Sequence, residues 1–372
     1  MERKSMRYRY LAPAFLWFFT LAAAAAGTGQ TLRLSSPDKQ VEVTFALSPD
    51  GAPQYSVSYR QSQVIAPSAL GVDLGEAGKL ASGFRVTGER RDEADRHYRQ
   101  IAGKTSVGYD RYTELNVDLT DRQGRRLGVV FRAYDDGVAI RYRLPGPGDS
   151  ALTIREELTG FAFPRDYACW ALNLGRFGTS HEGEYDPITA SRLRPHNLIE
   201  LPLVCRTDSA GTTLAIAEAD LDRYAGLYLT GRADGALGVE AKLSPRLDTP
   251  GIAVRLEAKD IDAEGFQTPW RVVMLGDTPG HLIESNLIAN LNPPTPIQDT
   301  SWIRPGKSAW DWWSGGLAPD VPNAGMNDAT LRRYIDHAAA LSLEYMLIDD
   351  GWYHGSTGDG RYHADADITR SI

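Results

Sequence analysis

Period-two alternation of apolar and polar residues dominates the first three quarters of the chain. VEVTF (41–45), QYSVSY (54–59) and ELNVDL (114–119) each put every second side chain on one face, as half-buried strands do. LGVVFRAYDDGVAIRYRL (127–144) predicts a hairpin. Asp136-Gly137 is a turn dipeptide that tolerates positive φ, and Val138, Ile140, Tyr142 and Leu144 share one face of the second strand. Strand follows strand, with turn signals between and almost no helical periodicity, which predicts a large β-sandwich over residues 28–291.

The pattern changes near residue 278. TPGHLIESNLIANL (278–291) predicts a short helical segment with Pro279 near its start, and the Pro-rich stretch at 292–300 predicts a linker. From 301 to 372 the reading is βαβ: a strand at 308–313, a helix at about 328–342 and a strand at 344–349. Leu331, Tyr334, Ile335, Ala338 and Leu341 fall on one helical face, with Asn327 or Asp328 as the cap. The nearly all-apolar second strand predicts a parallel sheet buried on both sides.

Composition narrows the function. The chain of 372 residues carries a net charge of −8 with its basic residues scattered, which argues against nucleic acid or an anionic membrane as partner. Eight tryptophans and seventeen tyrosines supply core and, in sugar-handling proteins, stacking platforms. Arg3, Lys4, Arg7 and Arg9, the apolar run Leu11–Leu21 and the small residues Ala22–Ala26 form a signal-peptide pattern over 1–26. The expectation is an exported protein, periplasmic or secreted, with no membrane contact once the leader is cleaved; a retained anchor is the alternative. Export permits a bridge between Cys169 and Cys205, the two cysteines of the sequence, with two separate buried thiols as the alternative. No zinc spacing, P-loop or dinucleotide fingerprint is present.

Candidate chemistry sits at the two strand ends of the last segment. Asp311, Trp312 and Trp313 close the first; Asp349, Asp350 and Trp352 close the second. Active sites of parallel α/β barrels lie at C-terminal strand ends, where a carboxylate accepts sugar hydroxyls and a tryptophan packs the ring. Asp and Gly are also ordinary turn residues, so a lone Asp-Asp-Gly would carry no weight. Trp312, Asp349, Asp350 and Trp352 are the substrate-binding candidates. A second cluster, GTSHEGEYDPI (178–188), offers Glu182 and Glu184 as oxygen ligands for a hard cation, against the plainer account of a charged surface loop. The pairs Asp135-Asp136 and Glu156-Glu157 read as a turn and a solvated strand face.

Taken in order, FRAYDDGVAIRY, HEGEYDPI, AEADLDRYAGLYL, TPWRVVMLGD, SWIRPGKSAWDWW and EYMLIDDGWY resemble glycoside hydrolase family 97 from about residue 31 to the last. The resemblance implies a multidomain β plus α/β protein, with an N-terminal β-super-sandwich followed by a catalytic (β/α)8 barrel. It implies exo-acting α-glucosidase or α-galactosidase activity on oligosaccharides, assisted by calcium. The family's sandwich glutamate maps to Glu182, with Glu184 as second choice. Trp312 and Asp350 map to the glycone pocket, with DDGW here where many members carry DEGW. A (β/α)8 barrel takes about 250 residues, so residues 301–372 are expected to hold an incomplete one, truncated after about two strands. The catalytic acid and its base or nucleophile come from later strands in the family. No residue here is therefore assigned a catalytic role, and this chain alone is expected to be inactive. A non-catalytic carbohydrate-binding β-sandwich protein is the alternative.

Overall fold

The computed structural model describes residues 31–145, 151–207, 211–261, 265–312, 315–349, 353–357 and 361–364. The leader pattern, Asp350 and Trp352 lie outside them. Contacts divide the chain into two units, one holding residues up to 96 with 110–292, the other 97–109 with 293 onward.

In the first unit two antiparallel sheets share one core. The smaller has seven strands, ordered Thr31–Ser35, Val41–Leu47, Pro53–Tyr59, Ser62–Ala69, Gly160–Ala162, Gly238–Leu243, Leu227–Gly231. The larger has ten, and its middle runs Leu203–Arg206, Thr213–Ala219, Trp270–Gly276, Gly137–Leu144, Arg126–Tyr134. Phe45 and Tyr55 of the first sheet meet Phe131 of the second with ring centroids 6.0 and 6.3 Å apart. The sheets are therefore packed face to face, as the alternation predicts.

The hairpin forms where it was read. Arg126–Tyr134 pairs with Gly137–Leu144, and Val138, Ile140, Tyr142 and Leu144 are all buried in the shared core. A Cβ on Gly137 (φ +156°) would stand 2.5 Å from the Val273 carbonyl oxygen, so this turn position admits no other residue without a backbone shift. The intervening side chains point to the opposite face of the large sheet. There Ala139, Val272 and Met274 pack with Leu287 and Leu291 in a second apolar cluster. The segment at 278–291 forms two short helices, α1 (Pro279–Glu284) and α2 (Leu287–Leu291), broken at Ser285-Asn286, where the Ser285 hydroxyl donates to Asp136.

Cys169 and Cys205 are register partners on adjacent strands, Ala168–Ala171 and Leu203–Arg206, and they are bonded as a disulfide. That settles the pairing which the sequence left open.

The second unit contains a parallel pair, Ser308–Trp310 with Tyr345–Leu347, joined through helix α3 (Asp328–Ala340). The Asn327 side chain caps α3, accepting from the Thr330 amide at 3.1 Å. Leu331 and Ala338 are buried, Tyr334 and Ile335 half-buried; Leu341 falls beyond the helix and is exposed. One expectation is corrected here: Tyr345 and Leu347 are exposed rather than buried on both sides. A parallel pair of strands with the single helix α3 packed on it lacks the surface to cover both faces of that pair. No helix among the described residues is long and apolar enough to cross a membrane.

Candidate functional site

The parallel register fixes what meets at the strand ends. Ser308, Ala309 and Trp310 lie opposite Tyr345, Met346 and Leu347, so the residues that follow each strand leave from the same edge. Trp310 Nε1 donates to Asp349 Oδ2 at 2.6 Å, which ties the two ends together. Trp312 is 52% exposed, leaving a ring face to solvent. The structure thus brings Trp312 and Asp349 to one edge of the pair.

Asp311 belongs with them although it was not among the chosen candidates. It is only 5% exposed, and its Oδ1 is buried with no hydrogen-bond partner. A buried carboxylate oxygen without a hydrogen bond is unfavourable by about 1–3 kcal/mol, which marks the position as one where a ligand's donor would supply the missing bond. Asp311→Ala removes that unpaired oxygen and is accordingly expected to leave the denaturant midpoint of this chain unchanged or raised. A lower midpoint would mean that the carboxylate is already compensated.

The Glu182–Glu184 loop is in the first unit and is held by its aromatic and histidine neighbours. His181 adopts φ +61°, and its Nδ1 lies 2.8 Å from Glu200 Oε2. Phe177 meets Tyr228 edge-on at 5.0 Å, and the Tyr185 hydroxyl donates to the Leu201 carbonyl. Burial pushes the Tyr185 and Tyr228 hydroxyls above their ordinary pKa, and the charge of Glu200 adds to both. Glu182 and Glu184 point outward and are exposed. Their oxygens have the hardness that calcium prefers. Among the described residues, however, no three Asp, Glu, His or Cys side chains are placed to hold a metal ion. The described residues around the loop therefore match calcium in donor type but not in donor number.

One reading is overturned. Glu157 does not lie on a solvated strand face: its side chain is 0% exposed and paired to Arg271, also 0% exposed. Arg271 Nε and Nη2 reach the Glu157 carboxylate at 2.6–3.1 Å, and Nη1 reaches Glu218 at 2.8 Å. Burial opposes the charge on Arg271, but the attraction of Glu157 outweighs it and raises the pKa. Glu218 moves up as well, because burial outweighs its single contact with Arg271. The sequence held one clue, a lone arginine in the apolar strand WRVVMLG.

The opposite face of the large sheet carries charge over aromatic rings. Arg132 and Arg141 stand 4.8 and 4.1 Å from the Trp270 ring centroid, and Arg132 also bonds Glu114 at 2.7 Å. Burial, with the nearby charge of Arg132, lowers the Arg141 pKa to about 10.

Comparison with known proteins bears on both units. The model for the glycosyl hydrolase 97 N-terminal domain matches residues 34–294, and that for glycoside hydrolase 97 matches 312–372. A retaining alpha-galactosidase of Bacteroides thetaiotaomicron is 27% identical over 358 residues, covering 91% of this chain and 53% of that protein. A glycoside hydrolase family 97 enzyme from Pseudoalteromonas sp. strain K8, solved in complex with panose, superposes with a TM-score of 0.73. It is 27% identical over 88% of this chain and 48% of its own. A beta-arabinopyranosidase structure reaches a TM-score of 0.71 at 28% identity, covering 86% of this chain and 51% of its own. The chain thus spans about half the length of the relatives it matches.

Proposed function

The chain belongs to glycoside hydrolase family 97, and on that footing we propose that it forms the sugar-gripping half of an exported, exo-acting α-glycosidase. The enzyme containing it removes a terminal α-galactosyl or α-glucosyl residue from an oligosaccharide. The observation that carries this reading is the edge where Asp311, Trp312 and Asp349 gather beside an exposed indole face. Carboxylates there accept sugar hydroxyls, and the Trp312 ring packs the apolar face of a pyranose. Asp350 and Trp352 are assigned to the same pocket by sequence position.

Glycosidic cleavage takes two carboxyl groups flanking the bond, about 5–5.5 Å apart for retention and about 6.5–9.5 Å for inversion. We assign neither role to Asp311 or Asp349, whose task is grip. Glu182, with Glu184 as second choice, is assigned one oxygen ligand of a calcium site completed by residues beyond those described. The basic and apolar pattern of residues 3–26 supports export.

The test uses nitrophenyl α-galactoside and α-glucoside with the enzyme carrying its whole barrel and with residues 28–372 alone. The expected result is turnover by the first and none by the second. Trp312→Ala in the whole-barrel enzyme should lower kcat/KM by about 10–100-fold, mainly through KM, because packing of the ring is lost in ground and transition states alike. Undiminished kcat/KM in that variant, or turnover by residues 28–372 alone, would overturn the assignment. The ratio of the two substrates reports the preferred epimer.

A further inference from the structure

A cleft of about 380 Å³ opens in the first unit, and none of the residues assigned above lines it. Its charged lining is Arg223, Arg246 and Arg255, with the Ser244 hydroxyl beside them; among the described residues its wall carries no Asp or Glu. Three guanidiniums around one cleft stand against the balance of a chain whose net charge is −8.

The local fold holds them there. Arg255 is the outward residue of strand Val254–Leu256, whose two neighbours are buried. Arg246 is set by a turn in which its amide donates to the Ile252 carbonyl at 3.0 Å. Tyr224 forms a rigid wall, its ring stacked on Phe266 at 6.0 Å with a 9° tilt. Arg223 uses Nε on Asp222, Arg246 uses Nε and Nη2 on Asp248, and Arg255 uses Nε on Glu257. Those contacts orient the forks and leave Arg246 Nη1 and both Arg255 Nη groups without a protein partner among the described residues. Asp222, Asp248 and Glu257 are all exposed, and surface pairs of this kind contribute only about 0–1 kcal/mol. They do not neutralise the cleft for a ligand that meets several forks at once.

We propose that this cleft binds an oxyanion, a carboxylate or sulfate group carried by a ligand the size of one acidic sugar unit. Arginine forks match planar or tetrahedral oxyanions through paired, charge-assisted hydrogen bonds. The volume lies at the small end of ligand pockets, about 300–1,000 Å³. Because the cleft shares no residue with the strand-end pocket, its failure would leave the glycosidase reading untouched.

Calorimetric titration of the protein with sodium sulfate, galacturonate and neutral galactose tests this. Saturable binding is expected for sulfate or galacturonate but not for galactose, and it should weaken as sodium chloride rises. Arg246→Gln/Arg255→Gln should lower the affinity at least about tenfold. Arg246→Lys/Arg255→Lys, which keeps charge but not the forks, should lose less. Arg33→Gln, at an exposed pair elsewhere, should lose nothing. Thermal melts establish that each variant is folded, and the single substitutions replace the double if it is not. Tighter binding of galacturonate identifies a sugar-borne group; binding of sulfate alone identifies a free inorganic oxyanion. Absence of saturable anion binding, equal binding of galactose, or unchanged affinity in the arginine variants overturns the proposal.

Discussion

Arg271→Met should destabilise the sandwich by about 3–5 kcal/mol, the range for removing one partner of a buried ion pair. The loss is large because of what stays behind. Glu157 would keep its charge at 0% exposure with only two hydroxyl donors, Thr159 at 2.7 Å and Tyr224 at 3.3 Å. The double variant Arg271→Met/Glu157→Leu removes both charges and should recover most of that loss, since a hydrophobic replacement of a buried pair is often neutral. Glu218, partly exposed, is left to solvent and to the Leu227 amide. Chemical denaturation of the four proteins in the cycle gives the coupling directly. A loss below about 1 kcal/mol for Arg271→Met would show that the sandwich relaxes to hydrate Glu157.

Cys169→Ala/Cys205→Ala should destabilise the same unit by about 4 kcal/mol in the chain-entropy account of a loop of this length. The bridge spans 36 positions and joins register partners on neighbouring strands, so in the unfolded chain it removes freedom that the folded sheet does not use. Reductant added to the parent protein should move the denaturation midpoint by the same amount, and reductant added to the double variant should move nothing. A much smaller shift would indicate that the reduced unfolded chain keeps these strands together.

How far the sequence could be read follows from separation along the chain. The 127–144 hairpin and the Asn327 cap are local: turn chemistry, alternation and side-chain type lie within a few residues, and both formed as read. The disulfide needed a strand register, which spacing does not supply. Glu157 and Arg271 are 114 positions apart, so Glu157 looked like any other solvated acid until the fold closed over it. Asp311 was visible as a strand-end acid, but its burial depends on packing that no local pattern encodes. The converse error concerned Tyr345 and Leu347: apolar character was read as burial on both sides, whereas burial also requires covering partners. At the candidate site, residue types and the parallel edge were legible and the distances were not.

Strands Gly137–Leu144 and Trp270–Gly276 lie side by side with apolar clusters on both faces, one shared with the facing sheet and one closed by Leu287 and Leu291. Backbone so enclosed has no partial opening available to it, since freeing either strand would expose both clusters at once. Amide hydrogens of this pair are therefore expected to exchange only through global unfolding of the unit. Opening motions in this unit are therefore expected first in its exposed loops, such as the one that carries Glu182.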